Sequence, residues 1–249
     1  MRNTVLLALA FAAMASGCTK NKNDCSHMPT APSCSQSSTA QPSARTLSIT
    51  PIAQQTEVWC WAATAEMVFR HFSLPSVNGF GNYQCGIVAA YFGGPCLQNC
   101  GLCVTPIASM TELNRVIVNY GLVARQLGLT SPTLSTEILF RPLSLDEVKR
   151  EIDAGRPVVA GITAGGFPFP NISQHVTLVV GYEVTASSSS LIVNDPFPYN
   201  LPQFVLQGRQ NPYFFAGGVE VRPGQYRISY SSYTGFMAWA NTIDQIRSL

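Results

Sequence analysis

The chain has 249 residues, enough for one ordinary domain with extensions. Hydrophobic residues make up 46% and charged residues 11%, with a formal net charge of +2, whereas globular chains are usually roughly 25% charged. A sizeable core is therefore available, and the absence of a basic stripe speaks against nucleic acid as a partner.

In chain order, the first element is MRNTVLLALAFAAMASGC: a basic Arg2, an apolar run from Val5 to Ala15, then small residues. This reads as a secretory signal over 1–17, its apolar part being too short to span a membrane. The ending Ala15-Ser16-Gly17-Cys18 resembles a bacterial lipobox, which implies lipidation of Cys18. With Thr19 after the cysteine, the resemblance implies the outer membrane in a Gram-negative host. Cleavage by ordinary signal peptidase near Ala15, giving a secreted protein, is the alternative. Residues 18–45, rich in Ser, Thr, Pro and Ala, show no periodicity and read as a disordered tether. The folded domain is expected over 46–249, as a monomer touching the membrane only through the anchor.

QQTEVWCWAATAEMVFRHF, residues 54–72, is nearly apolar all round and predicts a buried helix, with Trp61, Ala65, Val68 and Phe72 at helical spacing. Glu66 and Arg70 form its i,i+4 pair. Cys60 falls in the first turn, where free backbone N–H groups and the helix dipole favour a thiolate. Of eight cysteines, Cys25 and Cys34 lie in the tether. Cys85, Cys96, Cys100 and Cys103 cluster and allow three disulfide pairings, which the sequence leaves open. A zinc site is the weaker reading of that cluster, because an exported chain favours disulfides and no histidine lies nearby. Cys60 is left without a local partner, either as a buried core thiol or as a nucleophile.

TPIASMTELNRVIVNYGL predicts a second helix that stops at Gly121. SLDEVKREIDAG predicts a third, with a Ser144/Glu147 capping box and Gly155 as its terminator. RPVVAGIT reads as a strand. HVTLVVGYEV and LIVNDP, separated by ASSSS, read as a hairpin of strands 175–185 and 191–195. Strand-like runs such as QYRISYSS follow, with Tyr233 and Trp239 as core residues.

A nucleophilic thiol needs a base. Of three histidines, His27 is in the tether, and His71 lies eleven residues beyond Cys60 on the same helix, roughly 16 Å away. His175 remains. Hairpin folding returns Asn194 or Asp195 to the start of the first strand, beside His175, as an orienting partner. Each of these residues singly is ordinary strand-end or turn chemistry. Gln54, six residues before Cys60, supplies a side-chain amide for an oxyanion, with Gln55 as competitor.

Taken together, Gln54, Cys60-Trp61, His175 and Asp195 in this order resemble the papain-like cysteine proteases. WCWAA, GRPVVAGI and HVTLVVGYEV…LIVNDP look like the bacterial members, including secreted effector proteases and the leader peptidases of bacteriocin exporters. The resemblance implies an α+β, papain-like fold, with an N-terminal helical half, its central helix carrying the nucleophile, packed against an antiparallel β half. It implies peptide-bond hydrolysis by a Cys60–His175–Asp195 triad with Gln54 in the oxyanion hole, peptide or protein substrates, and no cofactor or metal. The chain departs from plant and lysosomal relatives in lacking Cys-Gly-Ser-Cys-Trp, in Asp195 for asparagine, and in having Phe197 rather than tryptophan beside that pair. An amidase, deamidase or transglutaminase using the same triad, or a binding lipoprotein without activity, are the alternatives.

Overall fold

The computed structural model describes residues 42–163, 175–201 and 210–249. The signal, Cys18, Cys25, Cys34 and most of the expected tether lie outside the described residues. The chain is α+β. Among the described residues the four longest helices, α1 (Cys60–His71), α2 (Tyr83–Phe92), α3 (Met110–Gln126) and α4 (Leu145–Asp153), accompany a sheet in which every pairing is antiparallel. Its strands are β1 (Ser43–Thr46), β2 (Leu134–Leu139), β3 (Val158–Ile162), β4 (His175–Val184), β5 (Ser189–Asn194), β6 (Val219–Arg222), β7 (Gln225–Ser229) and β8 (Asn241–Ser248). The order is β2-β8-β3-β4-β5-β7-β6.

β4 is the axis of the sheet. β5 pairs along one edge of it, from Leu178↔Asn194 to Val184↔Ser189. On the other edge, β3 covers 175–179 and β1 covers 181–184. Gly181 permits this crowding, because a Cβ there would lie 2.7 Å from the Arg45 carbonyl oxygen. The first strand thus begins at Ser43, inside the stretch expected to be tether.

The helix α1 is buried from Trp61 to Phe69, as its all-round apolar pattern demands. Its polar exception, Glu66, is also buried, at 4% exposure, and is neutralised by Arg70 at 2.7 Å, whose guanidinium lies over the Tyr83 ring. Thr64 donates to the Val176 carbonyl at 3.2 Å and so ties α1 to β4 next to His175.

α3 does not stop at Gly121. It runs five residues further, to Gln126, and Gly128 with φ +79° turns the chain away. Gly121 serves packing instead: a Cβ at that position would collide with the Pro132 carbonyl. α4 has both reciprocal bonds of the Ser144/Glu147 capping box, and Gly155 follows it at φ +78°. The QYRISYSS run is strand only to Ser229; Tyr230–Thr234 is a single helical turn. Tyr233 and Trp239 are buried and edge-on to each other.

The cysteine cluster forms two disulfides, Cys85–Cys100 and Cys96–Cys103. They link α2 to two consecutive 3-10 turns, Gly94–Leu97 and Cys100–Cys103. Such bonds fit an oxidising compartment. Among the described residues no helix is long and apolar enough to cross a membrane.

Candidate active site

Cys60 is the first residue of α1 and the free cysteine among the described residues. Trp59 occupies the N-cap and provides no side-chain cap, so the sulfur stands at a helix start whose N–H groups are not taken by a capping side chain. The two flanking indoles are anchored outside the helix. Trp59 Nε1 donates to the Cys103 carbonyl at 3.2 Å, and Trp61 Nε1 to the Thr105 carbonyl at 3.3 Å. The disulfide-linked segment therefore braces the turn that carries the thiol.

His175 opens β4 and is 3% exposed. Its Nε2 meets Asp195 Oδ1 at 2.6 Å, and its ring is also hydrogen-bonded to the Cys60 side chain. With Nε2 turned to the carboxylate, Nδ1 is the nitrogen left for the sulfur. Burial opposes protonation of His175, but the Asp195 carboxylate and the Cys60 sulfur outweigh it and push the imidazole up to about 10. The favoured form of His175 at neutral pH is therefore an imidazolium beside the Asp195 carboxylate.

Asp195 is itself organised. Its Oδ1 also accepts the Phe197 N–H at 2.8 Å, its Oδ2 accepts the Tyr199 hydroxyl at 3.3 Å, and its own N–H donates to the Gly224 carbonyl at 2.9 Å. Burial and the Asp195 charge hold the Tyr199 phenol well above its ordinary range, so it stays a donor. Phe197, 1% exposed, stands edge-on to the His175 ring with centroids 6.3 Å apart. It takes the shielding position, and Tyr199, Tyr213 and Tyr226 continue the aromatic wall behind it. Those tyrosines have no sequence signature; they come from three separate stretches joined only by folding.

Gln54 and Gln55 diverge. Gln54 is 7% exposed, and its N–H donates to the Pro196 carbonyl at 2.8 Å, one residue from Asp195. Its Nε2 spends one hydrogen on the Thr56 carbonyl at 2.8 Å, and its buried Oε1 has no hydrogen-bond partner among the described residues. Gln55 turns the other way, into a two-way amide pair with Asn82 at 2.9 and 3.1 Å. His71 is far from all of this, with its Nε2 on the Gly155 carbonyl at 2.8 Å. Beside Asp195 a groove of about 330 Å³ opens between Pro51–Ala53 and the Pro196–Leu201 stretch, with Glu220 as its charged rim. Among the described residues no cluster of His, Cys, Asp and Glu has the arrangement of a metal site.

A helix N-terminus that presents a thiol to a buried imidazole–carboxylate pair has the chemical groups that nucleophilic acyl transfer requires. The model of the Peptidase_C39 like family matches residues 111–205, a stretch that contains His175 and Asp195 and begins after α1. No curated protein matches the chain in sequence. Similar solved structures include a digestive procathepsin L 3 of the Tenebrio molitor larval midgut, at 13% identity over 81% of this chain and 69% of that one, with TM-score 0.46. A procathepsin L2 proteinase from the same tissue aligns at 13% identity over 79% and 64%, with TM-score 0.46. A structure from work on the mite allergens Blo t 1 and Der p 1 aligns at 16% identity over 81% and 67%, with TM-score 0.46. Residues 111–205 are thus similar to the Peptidase_C39 like family.

Proposed function

We propose that this protein cleaves peptide bonds with Cys60 as nucleophile, His175 as general acid and base, Asp195 as the group that orients the imidazole, and Gln54 as an oxyanion donor. The observation that carries the reading is the chain of contacts from the half-buried Cys60 side chain through the buried His175 to the buried Asp195, with Nε2 and Oδ1 2.6 Å apart. The Cys60 thiolate attacks the scissile carbonyl carbon, and the carbonyl π pair moves to oxygen. That oxyanion is met by the Cys60 N–H and the second Nε2 hydrogen of Gln54. Collapse breaks the C–N bond as His175 gives its proton to the departing amine. Neutral His175 then takes a proton from water, which attacks the thioester, and the acid product leaves with the thiolate restored. The apolar groove beside Asp195 is a surface on which part of a peptide can lie.

The test is labelling by an epoxide inhibitor that alkylates papain-like thiols, together with turnover of pooled quenched-fluorescent peptides. Labelling at Cys60 and turnover that both vanish in Cys60→Ala support the reading; a native, reduced protein that neither labels nor turns over defeats it. Glutamine-amide and cell-wall substrates run beside the peptides separate peptide cleavage from other acyl transfers by the same thiol.

For the N-terminal region, the proposal is a lipid anchor at Cys18 on the bacterial cell envelope, supported by the lipobox-like Ala15-Ser16-Gly17-Cys18. Metabolic labelling with an alkynyl fatty acid tests it: incorporation that is lost in Cys18→Ser is the expected result, and an unlabelled, freely released wild type rejects it.

A further inference from the structure

The segment that carries Gln54 has no helix or strand of its own, yet an oxyanion donor must be held within about 0.5 Å of its working position. One buried side chain supplies that constraint. Gln84, in α2 and 1% exposed, accepts the Gln55 N–H on its Oε1 at 2.9 Å and donates its Nε2 to the Ala53 carbonyl at 2.9 Å. It therefore grips the backbone on both sides of Gln54. Its remaining amide hydrogen goes to Glu66 Oε2 at 3.1 Å, on the helix that begins with Cys60. Glu66 is in turn fixed by Arg70. The next residue, Cys85, is bonded to Cys100.

We infer that Gln84 is a positioning residue for the oxyanion hole: it ties the loop bearing Gln54 to the nucleophile helix through Glu66, so that amide donor and sulfur keep a fixed separation. The inference rests on the reading of Gln54 as an oxyanion donor. Both amide hydrogens and the carbonyl oxygen of Gln84 are used on the three groups that must stay in register; only the side-chain amides of Gln and Asn offer two donors and an acceptor in that shape, and Asn is one methylene shorter. Buried hydrogen bonds of this kind rigidify only when every member is satisfied, and this one is.

The experiment is a cycle with Gln84→Met and Gln54→Ala, singly and together, on pooled quenched-fluorescent peptides, with iodoacetamide alkylation of Cys60 as control. Alkylation by iodoacetamide creates no oxyanion, so it reports the thiol and its imidazole alone. The expected result is a fall in kcat of about 10-fold or more for Gln84→Met, with KM and alkylation rate changed less than about twofold. In the Gln54→Ala background the same substitution should cost little further. An equal cost with and without Gln54, or a matching loss in alkylation, assigns Gln84 a merely structural role and overturns the inference. If Gln54→Ala alone leaves kcat unchanged, the oxyanion role of Gln54 fails instead, and this inference with it. Should Gln84→Met not fold, amide hydrogen exchange of the wild type decides: a Gln55 N–H protected at least about 100-fold supports the grip, and an unprotected one refutes it.

Discussion

Asn194 and Asp195 are adjacent, yet their side chains serve opposite sides of the sheet. Asn194 donates to the Ile49 carbonyl at 2.9 Å and accepts from Gln225 at 2.6 Å, whereas Asp195 reaches His175 at 2.6 Å. Successive side chains of an extended chain point to opposite faces, so only one of the two can face the imidazole. The carboxylate, not the amide, is the partner, and a negative charge therefore sits behind His175.

That charge makes a pH prediction. The Asp195 carboxylate favours the imidazolium, which persists through neutral pH, and peptide turnover should fall only as pH passes well above the ordinary histidine range, toward about 10. Asp195→Asn removes the negative partner, lowers the imidazole pKa and moves the alkaline limb to lower pH, by roughly one to three pH units. A pH profile of kcat/KM for both proteins checks it. An unmoved limb would mean that Asp195 does not act on the base.

Two histidine substitutions separate the base from the bystander. His175→Ala should lower turnover by about a thousandfold or more, as loss of a member of a concerted catalytic set does. His71→Ala, whose ring meets the Gly155 carbonyl and the edge of Phe72, should leave turnover within about twofold and cost stability instead. Steady-state kinetics and a thermal melt on each variant distinguish the two effects.

The adjacent glutamines give a third contrast. Gln54→Ala should reduce kcat by about 100-fold, the usual effect of losing one oxyanion donor. Gln55→Ala removes only an exposed amide pair with Asn82 and should stay within about twofold. Comparable losses in both variants would dissolve the distinction that burial draws between them.

Four sulfurs must be oxidised while Cys60 stays reduced. Activity should therefore rise with mild thiol and collapse once the reductant opens the bridges. The Cys85–Cys100 bridge, closing a separation of 15 residues, should contribute about 3 kcal/mol, measured by urea denaturation of the Cys85→Ser/Cys100→Ser variant. Because both indoles beside Cys60 bond into that region, the variant's loss of activity should precede its global unfolding in the titration.

Much of this arrangement is legible in the residues because it is local. The apolar run after Cys60, the Ser144/Glu147 box and the β-branched hairpin from His175 to Asn194 each carry their own signal within one short stretch of chain. β8 is different: NTIDQIRS is polar at six of its eight positions, and its partner β2 lies more than a hundred residues earlier, with Leu134 opposite Ser248. Only closure of the sheet makes it a strand. Gly121 reads as a helix stop because local sequence cannot announce that Pro132 will lean on that face of α3. The grip of Gln84 on the Gln54 loop is likewise invisible until α1 and α2 pack.

The placement of β1 has a consequence of its own. Ser43 pairs with Val184 and Thr46 with Gly181, so the polypeptide joins the sheet at one tip of β4, while His175 occupies the other. Ten residues of extended chain separate the two tips, about 30 Å. Whatever pulls on the N-terminal side of Ser43 loads the sheet at the pole remote from His175, and the strain is carried by backbone ladders rather than by the Cys60, His175 and Asp195 side chains.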